Sequence, residues 1–387
     1  MGDVTKYELA MLAKGYAIER SRRNADRFVA GDYSAILDDG TVWPDVNINE
    51  NPELMLDMVR LADNFLKDRL ERKPSRNYWY GHSAGAYTGL AINYLGDEFN
   101  KEPDGKRLID GFLDDDPGGG LFVPILMKNG QDVLFRTPEE KAKFTKTIVV
   151  AHQAYPLTYD EENPGEMDHK EIPRFISPVA LDNKRTIARV MKEKAMGGGF
   201  RMYEVRGVSH VGGESLPNGK RGDIEILDLS RLIDGVIDLL DNWVERDIPP
   251  PETRSDSPGI SSGKNAVSLP ETACPLGVYF AYPPMESVEN GVGSTGFAPF
   301  DGTTIEPLDG HLAYVDMNGN GKRDKRESVT EAWRRLGLLK ANEPFGRDKY
   351  VSCVQQTAAK LKQDKFITDK TAEQYVKDAQ VKELPER

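Results

Sequence analysis

The sequence predicts an α/β protein: a doubly wound, mostly parallel sheet over residues 1–250, followed by a mixed extension over 251–387. Short apolar or aromatic runs at 76–83, 106–113, 145–151 and 200–210 alternate with segments of helical periodicity at 52–71, 84–95, 183–195 and 226–245. That alternation is the pattern of β–α units that build parallel sheets. The run TKTIVVA, 145–151, is apolar without period-2 alternation, as expected of a strand buried on both faces. After residue 248 the rhythm stops at IPPPETRSDSPGISSG, whose proline, serine and glycine content predicts a linker or an extended surface segment.

The elements follow in chain order. Residues 7–14 carry apolar side chains at helical spacing, and Gly15 ends that helix before a short strand at 16–20. Pro52 opens a long amphipathic helix with Leu54, Met58, Leu61, Phe65 and Leu70 on one face. The strand RNYWYGHS and the helix AGAYTGLAINYL come next, then a strand KRLIDGFL ended by DDDPGGG. A helix over 183–195 leads to the strand FRMYEVRGVSH and the long helix over 226–245. The C-terminal part is irregular and rich in Gly, Pro and aromatics, then a charged loop, then two helices near 346–363 and 369–381.

Composition removes several classes. Of 387 residues, 39% are hydrophobic and 29% charged, enough for a full core. A net charge of -12 disfavours a phosphate-backbone partner, so no nucleic acid is expected. No apolar run approaches the ~20 residues of a membrane helix. Cys274 and Cys353 are the only cysteines, with no Cys/His cluster to hold zinc. They fit two buried thiols or one disulfide equally.

Within that frame Gly81-His82-Ser83-Ala84-Gly85 forms G-x-S-x-G between an aromatic strand and a small-residue helix. This is the setting in which a serine sits on a tight strand-to-helix turn, its hydroxyl lifted above the sheet. Gly81 and Gly85 are small because neighbouring elements must approach that turn, and the Ala84 N–H at the helix start can hold an oxyanion. Ser83 is therefore the candidate nucleophile. It needs a base, and the chain has five histidines: His82, His152, His169, His210 and His311. His82 lies inside the turn. His210 ends the strand at 200–210 and gives the chain order Ser…acid…His, with His152, at the end of the preceding strand, in reserve. The acid belongs in the loop after 145–151, where Asp160 and Asp168 both qualify. Asp182 reads as a helix N-cap. Should neither loop residue serve, the acid lies at Asp182 or in DDDPGGG.

A second motif spans 316–327. Asp316, Asn318, Asn320, Asp324 and Glu327 put side-chain oxygens at positions 1, 3, 5, 9 and 12 of a twelve-residue loop, Gly321 falls at the turn and Lys322 offers its carbonyl. This is the EF-hand calcium spacing. The expected ion is structural, and the two asparagines favour the weaker affinity of extracellular modules.

These pieces resemble the α/β-hydrolase superfamily, nearest to a branch of α/β-hydrolase domain proteins neighbouring tannase-like and feruloyl-esterase-like enzymes. The matching segments are LAKGYAIERSR, YGHSAG, IDGFLDDDPGGG, MYEVRGVSH and the helices from EPFGRDKY. The resemblance implies a serine esterase acting on a small-molecule or polymeric carboxylic ester through an acyl-enzyme. Phe122, Phe135, Tyr155 and Tyr159 are candidates to line its pocket. A serine peptidase or amidase and an inactive binding protein of the same fold are the alternatives. Relatives usually carry a glutamate just after the strand holding His152, where this chain has Gln153 and Ala154. They also place about three strands and an oxyanion loop before the segment equivalent to 12–22. The fold is thus expected without its first strands, through a start at an internal methionine or an abridged fold. A secreted or periplasmic location is expected, without a signal peptide in this chain.

Overall fold

The protein is described from a computed structural model, which places residues 11–14, 28–29, 32–36, 42–43, 52–69, 75–82, 84–95, 100–117, 127–128, 131–132, 145–152, 178–193, 198–208, 220–221, 224–225, 227, 229–260, 265–280, 296–302 and 327–385. An antiparallel three-stranded sheet comes first, β1 (Phe28–Val29), β2 (Asp32–Ile36) and β3 (Val42–Trp43). Helix α1 (Pro52–Arg69) follows. The central sheet is parallel and four-stranded, in the order β4 (Tyr78–His82), β5 (Gly111–Asp115), β8 (Lys146–His152), β9 (Phe200–Val205). Helix α2 (Ala84–Leu95) joins β4 to β5, and α3 (Pro178–Glu193) lies between β8 and β9. Between β5 and β8 sits a short hairpin, β6 (Met127–Lys128) and β7 (Gln131–Asp132). A second, β10 (Lys220–Arg221) with β11 (Ile224–Glu225), precedes α4 (Ser230–Arg246). The C-terminal part adds α5 (Pro270–Ala273), the antiparallel pair β12 (Gly277–Phe280) and β13 (Gly296–Pro299), α6 (Val329–Arg335), α7 (Arg347–Gln363) and α8 (Asp369–Val381).

Strand alternation sorts the core into two sides. Val149, Ala151, Phe200 and Met202 pack with Leu90 of α2 and Leu181, Ile187 and Met191 of α3. Leu113, Ile148, Val150, Tyr203 and Val205 point the other way, into a cluster with Leu232, Val236, Leu240 and Trp243 of α4. Helices thus cover both faces of a parallel sheet, the α/β class expected. The α4 side extends without a break to Trp333, Tyr350, Phe366 and Tyr375 of the C-terminal helices. Gly235 of α4 is the point of closest approach: a methyl there would lie under 3 Å from the Ile367 nitrogen and nearer still to the Phe366 carbonyl.

Four readings change against the structure. In α1, Leu61 is 72% and Phe65 53% exposed, whereas Leu56 and Asp63 are buried. Asp63 belongs inside because Lys67 pairs with it and the Asn77 amide donates to it at 3.1 Å. The strand expected at 106–113 begins at Gly111 and runs on through Asp114 and Asp115, since its ladder continues to His82 on one side and Val150 on the other. Helix α3 starts at Pro178, five residues before the expected start, because proline's fixed φ suits a first helical position. Asp182 is therefore inside the helix and not its N-cap. The segment after 248 lies extended along β9. Arg254 and Val267 form parallel bridges with Tyr203 and Val205, and Arg254 and Ser255 are buried. Glu204, fully buried, holds this strip by accepting from the Ser255 hydroxyl at 2.6 Å and from Arg185 Nε and Nη2.

Cys274 and Cys353 form a disulfide that ties the end of α5 to α7. Among the described residues, no helix is long and apolar enough to cross a membrane.

Candidate functional site

The chain leaves β4 at His82 and enters α2 at Ala84, so one residue, Ser83, separates strand from helix. Such an abrupt reversal needs the two backbones to touch. At Gly81 they do: a methyl there would sit 2.5 Å from the Ala86 nitrogen and closer still to the Gly85 carbonyl. Gly85 differs from expectation, because among the described residues nothing stands within 4 Å of the position its own methyl would take. The close approach is one-sided, with Gly81 yielding space to the Gly85 carbonyl. The Trp79 indole Nε1 donates to that carbonyl at 3.1 Å and ties the helix start to the strand. Ala84 opens α2, so its N–H belongs to the first-turn donors that a helix cannot satisfy internally.

Beside this turn, at the C-terminal edge of β5 and β8, lies a cluster of buried ionisable side chains. Asp114 and Asp115 are fully buried, and Asp116, His152 and Lys184 are 2%, 2% and 3% exposed. Asp115 sits opposite His82 in the ladder. Its Oδ1 accepts from His152 Nε2 at 2.8 Å. Asp116 follows the strand with φ 48°, a left-handed conformation that aspartate tolerates better than most residues. Its N–H donates to the Val150 carbonyl at 2.7 Å, and its Oδ1 accepts from the His152 N–H at 2.9 Å and from Lys184 Nζ. The second Asp116 oxygen is 3.7 Å from His152 Nδ1. The Lys184 ammonium reaches in from α3 to offset one of the two carboxylate charges, which buried carboxylates require.

Asp114 points to the opposite face, against Gly89 and Trp79. Both its oxygens are buried with no hydrogen-bond partner among the described residues. Burial alone pushes its carboxyl well above the ordinary carboxylate range. Three consecutive aspartates thus have three environments: one neutralised by burial, one paired to a histidine, one to a lysine.

Of the site residues marked out by the sequence, His82, Ala84, His152, Asp182 and Glu327 are placed, together with Asp114, Asp115 and Asp116 of DDDPGGG. The structure brings His82 and His152 together, ring centroids 6.2 Å apart. Ser83, Asp160, Asp168, His169, His210 and His311 lie outside the described residues, as do Asp316, Asn318, Asn320, Lys322, Asp324 and the aromatics Phe122, Phe135, Tyr155 and Tyr159. Glu327 stands just before the α6 N-cap Ser328, and both its oxygens accept from Arg335, at 2.7–3.1 Å. Among the described residues, no group of three or more acidic, histidine or cysteine side chains has the geometry to hold a metal ion. Asp115, Asp116 and Lys184 emerge from the structure as parts of the site. Asp115 and Asp116 belong to DDDPGGG, the segment held in reserve for the acid; Lys184 has no signal in the sequence.

No family model matches the chain, and no curated protein or solved structure matches it.

Proposed function

We propose that the protein is a serine hydrolase of the α/β-hydrolase type that cleaves carboxylic esters through an acyl-enzyme on Ser83. The observation that carries this reading is that β4 ends at His82 and α2 begins at Ala84, with Gly81 packed against the Gly85 carbonyl. A serine on such a turn precedes a helix whose first N–H groups seek an acceptor. In the proposed reaction Ser83 Oγ attacks the ester carbonyl, the Ala84 N–H receives the oxyanion, and a histidine carries the proton from the serine to the leaving alcohol. Water then repeats the sequence on the acyl-enzyme. Chain order offers His210 as that histidine, with Asp160 or Asp168 as its acid. The geometry beside the turn offers His152.

The EF-hand spacing at 316–327 supports one structural calcium ion. The donor set is all oxygen, as a hard cation requires, and Glu327 would exchange Arg335 for the ion. The Cys274–Cys353 disulfide supports a secreted or periplasmic setting, where such bonds persist.

The test is covalent labelling. A fluorophosphonate should modify the wild-type chain at Ser83, and Ser83→Ala should lose both the label and the hydrolysis of p-nitrophenyl butyrate. A Ser83→Ala variant with wild-type turnover would remove the assignment. A wild-type chain that neither labels nor turns over would favour a binding protein of the same fold.

A further inference from the structure

We propose that the Trp79 indole N–H is shared between two acceptors, the Gly85 carbonyl and the Asp114 carboxyl, and passes from the first to the second when Asp114 loses its proton, so that the tie between β4 and the first turn of α2 is a pH-sensitive switch. The switch is independent of the hydrolase reading above.

Asp114 lies inside the sheet, between Gly81 of β4 and Val149 of β8. Alternation turns its side chain to the face covered by α2, opposite to that of Asp115. It is fully buried, and neither oxygen has a hydrogen-bond partner among the described residues. Buried polar groups are otherwise satisfied, because leaving one bare costs free energy. That cost is smallest for the protonated acid, and burial holds the proton on Asp114 beyond the ordinary carboxylate range. Once ionised, the group can only accept, and it needs a donor.

Gly89 of α2 shows where that donor stands. A methyl on Gly89 would sit 2.6 Å from Trp79 Nε1 and closer still to Asp114 Oδ1. Outside the helix backbone, the three atoms nearest that point all belong to these two side chains. Glycine is a poor choice for a helix interior, yet here its missing side chain leaves the space in which indole and carboxyl face each other. The Trp79 N–H is already engaged, donating to the Gly85 carbonyl at 3.1 Å. The last torsion of an aspartate is broad, so the Asp114 carboxyl can turn an oxygen toward that N–H. An ionised acceptor holds an N–H roughly twice as strongly as a neutral one, and the indole proton follows the charge. Below the transition the indole fastens the start of α2 to β4. Above it the indole is bound to β5, and the Gly85 carbonyl keeps only its bond within the helix.

Other charged groups surround this point. Helix α2 itself, AGAYTGLAINYL, has no Asp, Glu, His, Lys or Arg. His82 of β4, Asp115 of β5 and His152 of β8 take the opposite face, two residues on from Tyr80, Leu113 and Val150 of the α4-side core. Asp116 pairs with Lys184 of α3 beyond the strand end. On α1, whose Val59 shares a cluster with Trp79, Asp63 pairs with Lys67. Each of these carboxylates has a cationic or histidine partner, and among the described residues Asp114 has neither.

The experiment is an NMR titration of the full chain from about pH 4 to pH 9, across the ordinary range of aspartate and histidine. Indole 15N labelling reports Trp79, identified among the four tryptophans by the signal missing from Trp79→Phe. Gly85-Ala86 is the only Gly-Ala step in the chain, so 13C-carbonyl glycine with 15N alanine singles out the Gly85 carbonyl. The Trp79 indole proton should move downfield through one transition whose midpoint lies above the ordinary aspartate value of about 3.9. The Gly85 carbonyl carbon should move upfield with the same midpoint. Asp114→Asn keeps the shape and should remove both transitions, whereas His82→Gln and His152→Gln should keep them. Transitions that persist in Asp114→Asn overturn the proposal. So does an indole that moves while the Gly85 carbonyl stays still, or an indole that does not move at all. Where Asp114→Asn fails to fold, the wild-type curves decide: a shared midpoint supports the transfer, and separate midpoints overturn it.

Discussion

Replacing Gly81 with alanine tests the close approach of β4 and α2 directly. The added methyl would come within 2.5 Å of the Ala86 nitrogen and nearer to the Gly85 carbonyl, where unstrained carbon contacts are about 3.5–4.0 Å. The obstructing atoms are all backbone, so no side chain can rotate aside, and β4 and α2 must separate by about 1 Å. Overpacking by one methyl costs about 1–3 kcal/mol, and the rigidity of these neighbours puts Gly81→Ala at the upper end. Reduced freedom of the unfolded chain returns roughly 0.5–1 kcal/mol, leaving a net loss of about 2 kcal/mol. With 387 residues and about 2.1 cal/mol/K of unfolding entropy per residue, this corresponds to a fall in Tm of about 2–3 °C. The same displacement should slow fluorophosphonate labelling of Ser83 far more than it lowers Tm, since about 1 Å at a reacting centre costs about 100-fold. Scanning calorimetry and a labelling time course measure both. Gly85→Ala is the paired control. Its methyl would meet no described atom within 4 Å, so it should melt at or above wild type. Wild-type labelling and melting in Gly81→Ala, or equal losses at both glycines, would refute the close approach as the reason for glycine at 81.

Three further outcomes are expected. Opening the Cys274–Cys353 bridge, which closes a separation of 79 residues, should lower unfolding free energy by about 4.5 kcal/mol in the loop-entropy account, read from urea unfolding of the Cys274→Ala/Cys353→Ala variant. Asp114 holds its proton above the ordinary carboxylate range when folded, so its contribution is full below about pH 3.9 and is lost as pH rises toward the folded value; Asp114→Asn should therefore gain Tm relative to wild type progressively from pH 4 to pH 8, and a difference independent of pH would refute this. Calcium should raise Tm once its concentration exceeds the dissociation constant, and Glu327→Gln, which weakens the last ligand, should remove most of that rise; an unchanged melting curve across millimolar calcium would reduce 316–327 to a surface loop.

Local signals were legible where local forces decide. The helix limits at 84–95 and 369–381, and the apolar strand at 145–151, follow from periodicity and composition alone. The step from β4 to α2 was legible for the same reason, since strand, glycine and small-residue helix are adjacent in the chain. The acidic cluster was not. In the sequence DDDPGGG ends a strand and stands only in reserve for the acid, because what holds Asp115 and Asp116 inside lies 37 residues on at His152 and 68 residues on at Lys184. Nor could periodicity choose the inner face of α1. Leu61 and Phe65 have the right spacing to be buried, yet the helix turns Leu56 and Asp63 inward because Lys67 and Asn77 await Asp63 there. The proline-rich stretch after 248 suggested a surface path, and only the open edge of β9 explains why its Arg254 and Ser255 are buried.

The contact between Gly235 and Phe366 also sets an order of events during synthesis. Helix α4 ends at Arg246, and the backbone that closes over it arrives about 120 residues later. At roughly 5–20 residues per second, the apolar side of α4 waits about 6–24 s on the ribosome for its cover. During that interval Leu232, Val236 and Leu240 can meet the sheet but not Phe366 or Tyr375. The α4 side of the core therefore lacks this part of its cover until residue 366 has been made, and a chain that stops short of it cannot complete that cluster.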